Sequence, residues 1–151
     1  MAKKEVVTDF WVKSLLDDAS LNLEPQGSSI LEINNALRTA SKSGTGKAGY
    51  PEFIGVVKDF LIVIEDKADV SKHVKLDAKG LISNKIDDVK NCAVNGALFY
   101  AKHLAKHTSY KKVIAFGISG DEKKHRISPI YVDETEYYRE LPDVESFITF
   151  S

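Results

Sequence analysis

One cysteine, Cys92, stands in 151 residues. An internal disulfide is therefore excluded, and so is a cysteine-based zinc ribbon. Long hydrophobic runs are also missing. Stretches such as Phe60–Ile64 stop far short of the roughly 20 apolar residues that span a bilayer, and Met1-Ala2-Lys3-Lys4-Glu5 has no apolar signal region. A cytoplasmic protein without membrane association is expected. No internal repeat or long low-complexity segment divides the chain, so residues 1–151 are read as one domain, within the usual size of about 100–150 residues. An excess of either charge is absent as well: 21 basic against 22 acidic residues leave a net charge of -1. That average hides a segregated distribution. Residues 1–66 carry 7 basic and 10 acidic groups, residues 67–112 carry 10 and 4, and residues 113–151 carry 4 and 8. A basic middle segment thus begins at Lys67.

Periodicity predicts a helix over Thr8–Ala19 with Phe10, Trp11, Leu15 and Leu16 inward, broken by Leu21–Gly27 with its Pro25 and Gly27. A second helix should start at Ser28 or Ser29 and bury Ile30, Ile33, Ala36 and Leu37, with Ser29 and Glu32 at capping-box spacing. Ser41–Gly49 reads as a flexible loop. Glu52–Val57 and Phe60–Glu65 are short β-rich runs separated by Lys58-Asp59, which predicts a hairpin. Lys67–Ser83 is polar and reads as a mobile connection. A long helix over Asn84–His107, a buried strand over Lys112–Ile118 and a partner strand over Arg126–Val132 complete an ααββαββ order. The order implies a mixed β-sheet flanked by helices.

If Lys58-Asp59 is a two-residue turn, Val57 faces Phe60 and the residue opposite Glu52 is Glu65. Directly opposed residues share one face of an antiparallel pair, with Cβ atoms roughly 5 Å apart, and Lys67 joins that face two residues on. Two carboxylates and an amine then converge. Adjacent carboxylates repel unless a cation intervenes, and Mg²⁺ is commonly held by one or two carboxylates together with waters and substrate phosphate oxygens. A lysine beside such an ion can orient or deprotonate an attacking water. The chemistry this suggests is phosphodiester hydrolysis.

At Pro51-Glu52 and Glu65-Asp66-Lys67 the chain resembles the PD-(D/E)XK nuclease superfamily. Gly49-Tyr50-Pro51-Glu52-Phe53 and Phe60-Leu61-Ile62-Val63-Ile64-Glu65-Asp66-Lys67-Ala68 are similar to the amino-terminal nuclease domain of type I and type IIG restriction-modification enzymes, often fused to an N6-adenine DNA methyltransferase. Phe99-Tyr100-Ala101-Lys102 and Val113–Gly120 extend the likeness, which covers about residues 28–132. The resemblance implies a restriction-endonuclease-like α/β fold. It implies Mg²⁺, with Mn²⁺ as a substitute, bound by Glu52 and Glu65 and by the main-chain carbonyl of Asp66, while Lys67 assists hydrolysis. An acidic residue on a preceding helix often completes such a site, so Glu32 has two readings, metal ligand or partner of Ser29. Double-stranded DNA is the implied substrate. Covalently linked methyltransferase and target-recognition domains, and a transient dimer for double-strand cleavage, are the implied partners. The chain is accordingly expected to be the N-terminal part of a longer restriction enzyme. Two positions depart from the pattern: Glu52 stands where Asp is commoner, and Gly96 occupies the polar position of the Gln-xxx-Tyr helix motif.

Other motifs carry less. Ser43-Gly44-Thr45-Gly46-Lys47 lacks the earlier glycine and the Ser or Thr after lysine that a phosphate-binding P-loop needs. A loop beside DNA or a plain linker is expected there. His103 and His107 have zinc-ligand spacing but no third ligand nearby. Cys92 reads as a small packing residue, and Asp121-Glu122-Lys123-Lys124 as a solvated turn. A noncatalytic DNA-binding module of the same fold and a stand-alone nuclease acting on junctions or damaged DNA are the rival functional readings.

Overall fold

The computed structural model describes residues 2–41, 49–135 and 137–150. The expected loop over Ser41–Gly49, with Ser43–Lys47 inside it, lies almost wholly outside the described residues. In chain order the elements are α1 (Ala2–Asp18), β1 (Glu24–Pro25), α2 (Leu31–Leu37), β2 (Phe53–Val57), β3 (Phe60–Lys67), α3 (Ile86–Asn91), α4 (Ala93–His107), β4 (Lys112–Gly120), β5 (His125–Asp133) and β6 (Tyr138–Glu140), with single 3₁₀ turns at Val70–Lys72 and Ile148–Phe150. The six strands form one sheet in the order β1-β2-β3-β4-β5-β6. All neighbours are antiparallel except β3 and β4, which are parallel. A parallel pair needs a crossover, and α3 with α4 supplies it. This mixed sheet between helices is compatible with the expected restriction-endonuclease-like fold.

Two apolar layers cover the sheet. Val12 and Leu16 of α1, with Ala19 just after it, pack with Ile62, Ile64, Phe116, Ile118 and Phe147 on one face. Ile33 and Leu37 of α2 and Ala97, Ala101 and Leu104 of α4 pack with Leu61, Val63, Val113 and Ala115 on the other. Strand β3 is therefore buried on both sides, which is why its sequence is a continuous apolar run. Alternation continues past the core: Glu65 and Lys67 follow Leu61 and Val63, while Asp66 follows Ile62 and Ile64 toward α1. The α4 layer lies close on β4. A Cβ built on Gly117 would stand 2.6 Å from the Val94 backbone, so glycine is the residue that lets the start of α4 rest there.

The hairpin has the expected register, with Val57 opposite Phe60 and Phe53 opposite Ile64. Lys-Asp is not a favoured tight-turn pair. Lys58 nevertheless adopts φ 58, and Asp59 is tied to Lys112 at 2.9 Å. At the other end of the sheet the Asp121–Lys124 turn is confirmed: Gly120 has φ +97, and Asp121 Oδ1 accepts the Lys123 and Lys124 amides at 2.9 and 3.0 Å.

Several expectations are corrected. The buried stripe of α1 is Thr8, Val12, Leu16 and Ala19, whereas Phe10 is 72% exposed; the helix follows 3.6-residue periodicity rather than residue size. Trp11 is half-buried against His125, with ring centroids 4.6 Å apart. Leu21–Gly27 does break the helix, which ends at Asp18, but it also contains β1, a two-residue edge strand paired with β2 that was not expected. The Ser29–Glu32 capping box does not form, because α2 is preceded by Ile30 without a side-chain cap. The long helix is split where Cys92 takes extended dihedrals (φ -119, ψ 137).

The polar connection after β3 is held in place rather than mobile. Asn95 Oδ1 accepts the Lys75 amide, and Asn95 Nδ2 donates to the carbonyls of Lys75 and Ser83. His73, 2% exposed, bridges Ser119 Oγ and Ser128 Oγ at 2.7 Å each. Ser128 Oγ donates to Asp143 Oδ1 at 2.6 Å, so it can only accept from His73, which fixes the Nε2–H tautomer and makes Ser119 the donor to Nδ1. Burial, then Arg126, holds the His73 pKa down to about 4, and the imidazole is neutral.

Candidate functional site

The carboxylates gather where α1, the start of β2 and the end of β3 meet. Asp9, Glu52 and Asp66 each offer a carboxylate oxygen within 4.8 Å of the others. Asp66 is there because strand alternation turns it toward α1, and Glu52 because it precedes β2 at the hairpin's open end. Gln26 helps to fix that end: its amide donates to the Glu52 carbonyl at 3.1 Å. Glu65, 4% exposed, stands on the opposite side of β3, and its Oε1 accepts the Glu52 amide at 3.1 Å. Glu52 is thus held by its neighbour's carboxylate through the main chain, while its own carboxylate joins Asp9 and Asp66.

Crowding leaves an electrostatic mark. Burial, followed by the charges of Asp9 and Glu65, pushes the Glu52 pKa up to about 7. Burial also raises Asp66 strongly, followed by the facing Asp9 carboxyl and then Glu52 and Glu65. Tyr100 on α4 is raised by burial and then by Glu65 and Glu52.

Two oxygens in the group, Asp9 Oδ1 and Asp66 Oδ2, are buried without a hydrogen-bond partner. Such orphaned acceptors cost folding free energy, and like charges this close cannot all remain ionised without compensation. A hard divalent cation satisfies both demands, because oxygen-only carboxylate sets are its usual ligands. The residues present therefore fit such an ion.

Lys67 ends β3 and lines a cavity of about 580 Å³ with Glu5, Ala68, Asp69, Val70, Lys72, Asn91 and Lys124. It shares its face of the strand with Glu65, and its charge reaches Cys92 at the α3–α4 junction. Glu32 lies elsewhere. Its exposed carboxylate accepts the Ser109 amide at 2.8 Å and the Ser109 hydroxyl at 2.7 Å, joining α2 to the turn before β4, and it is not in the Asp9–Glu52–Asp66 group. His103 Nε2 lies 2.8 Å from the Ala36 carbonyl and 3.0 Å from Thr39 Oγ1, an arrangement that ties α4 to α2.

Asp9, and the side chain of Asp66 as distinct from its carbonyl, were not expected from the sequence. The one signal for Asp9 is its position directly after Thr8, at the edge of the buried Thr8–Val12–Leu16 stripe.

Over 148 residues the chain is 40% identical to the type II restriction enzyme and methyltransferase RM.BcgI of Heyndrickxia coagulans. The match covers 97% of this chain and 23% of that protein, so the chain spans about a quarter of the relative's length. No protein-family model and no solved structure matches the chain. Among the described residues, no helix is long and apolar enough to cross a membrane.

Proposed function

We propose that the chain is the DNA-cleaving module of a restriction-modification protein, a Mg²⁺-dependent endonuclease of the PD-(D/E)XK type acting on double-stranded DNA. The observation that carries this reading is the Asp9–Glu52–Asp66 group, with Asp66 buried and two carboxylate oxygens unsatisfied, gathered at the end of β3 that carries Lys67. Likeness to a restriction enzyme fused to a methyltransferase supports it.

In this reading Glu52, Asp9 and Asp66 form the set that would hold the cation, with Glu65 beside Glu52 as a further acidic residue of the site. A bound Mg²⁺ or Mn²⁺ supplies charge stabilisation on phosphate oxygens and lowers the pKa of a coordinated water. Glu65 keeps Glu52 in position by accepting its amide. Lys67, on the cavity wall, orients the attacking water and meets the negative charge of the phosphate. The linked methyltransferase and target-recognition domains expected from the resemblance would bring the duplex to this cavity, and a transient dimer would cut both strands. Cleavage of supercoiled plasmid in Mg²⁺ tests the assignment. Lys67→Ala should abolish nicking, and undiminished cutting by that variant refutes the role.

A further inference from the structure

The cavity beside the carboxylates has a second wall that the proposed chemistry leaves unused. Lys72 reaches it from the 3₁₀ turn after β3, Lys124 from the β4–β5 turn, and Asn91 from the end of α3. Each lysine sits in a turn that an aspartate braces by local hydrogen bonds. Asp69 Oδ1 accepts the amide and hydroxyl of Ser71 at 2.9 and 2.8 Å. Asp121 Oδ1 accepts the amides of Lys123 and Lys124. These bonds fix the two turns. Among the described residues, no ion pair joins Lys67, Lys72 or Lys124 to a carboxylate. Glu5 also lines the cavity, but it belongs to the acidic side, one helical turn before Asp9. The cavity thus gathers Lys67, Lys72 and Lys124 on one lining, and Lys67 directly follows Asp66 on β3, which brings that lining next to the carboxylate group.

We propose that Lys72 and Lys124 form a phosphate clamp that holds the backbone of duplex DNA next to the bond being cut. The proposal rests on the endonuclease reading and names the residues that position its substrate. A lysine is suited to this role as a point charge that meets a phosphate without demanding one hydrogen-bond geometry, and backbone contacts of this kind set register without reading sequence. The pre-fixed turns mean that little conformational freedom is lost when the backbone docks.

Salt dependence of binding tests the clamp. Each phosphate contact contributes a slope of about -0.9 in log affinity against log salt for B-form DNA. A fluorescent duplex should be titrated with wild type, with Lys72→Ala/Lys124→Ala and with Lys72→Arg/Lys124→Arg, in Ca²⁺ to suppress cleavage. The alanine pair should flatten the slope by about 1.8, so that its affinity falls roughly tenfold less than wild type between 50 and 200 mM salt. The arginine pair should restore the slope, and the heat of Mn²⁺ binding should be the same in all three proteins. An unchanged slope in the alanine pair, with wild type still binding in a salt-dependent way, overturns the clamp and leaves the endonuclease reading standing. Wild type that binds no duplex at any salt overturns both.

Discussion

Removing one negative charge from the carboxylate group should make the metal-free protein more stable, and only above a defined pH. Glu52→Gln keeps the shape of the side chain and deletes its charge. The wild-type group is raised from its ordinary value of 4.5 to about 7, chiefly by burial and then by Asp9 and Glu65. That gap corresponds to about 3 kcal/mol once the carboxylate is ionised, and to about 2 kcal/mol after solvent screening of a half-buried group. The sign follows from proton binding. A carboxyl whose folded pKa is raised favours the fold fully below 4.5, and that contribution is lost as pH rises through about 7. Wild type and Glu52→Gln should therefore have similar stability at pH 5, while the variant gains about 2 kcal/mol by pH 8. Urea denaturation in a chelator between pH 5 and 8 gives the difference directly. Saturating Mn²⁺ should reverse the order, because an ion bound only by the folded state stabilises it by mass action. Parallel stability curves, or a variant less stable at pH 8, would refute the electrostatic account of the site.

His73 should produce the opposite trend. Its pKa is held down to about 4 from an ordinary 6.5, so its contribution to stability is complete above 6.5 and is lost as pH falls toward 4, by up to about 3 kcal/mol. Denaturation of His73→Gln should show a flatter acid limb, even though the variant is less stable at neutral pH; an equally steep limb would contradict the buried neutral imidazole. Glu32→Ala should cost about 1 kcal/mol by removing its bonds to Ser109 and should leave Mn²⁺ affinity unchanged. A large loss of affinity would return Glu32 to the metal site.

The hairpin and its register were legible because β3 is an uninterrupted apolar run and only two residues separate it from β2. Counting along the antiparallel pair brought Glu65 beside Glu52, whose amide it accepts, whereas the Glu52 carboxylate itself joins Asp9 and Asp66. What the turn itself requires, a lysine at positive φ beside an aspartate paired with Lys112, was not readable from Lys58-Asp59 alone. The α1 face was misread because the large rings of Phe10 and Trp11 outweighed the smaller Thr8, Val12 and Ala19 that keep helical spacing. Asp9 was missed for a related reason. Its partners, Glu52 and Asp66, come from strands far along the chain, and local periodicity carries no record of which helix crosses a strand end. Likewise, the polar composition of Lys67–Ser83 suggested mobility, yet His73 and Asn95 draw that segment onto the fold through bonds to β4, β5 and α4.

Calorimetric titration of Mn²⁺ into wild type, Asp9→Asn and Asp66→Asn tests the central claim, that the Asp9–Glu52–Asp66 group is a divalent-cation site. Wild type should give a saturable binding heat that both substitutions largely remove, with all three proteins folded by circular dichroism. Equal heats in the three proteins, or none in wild type, would contradict it.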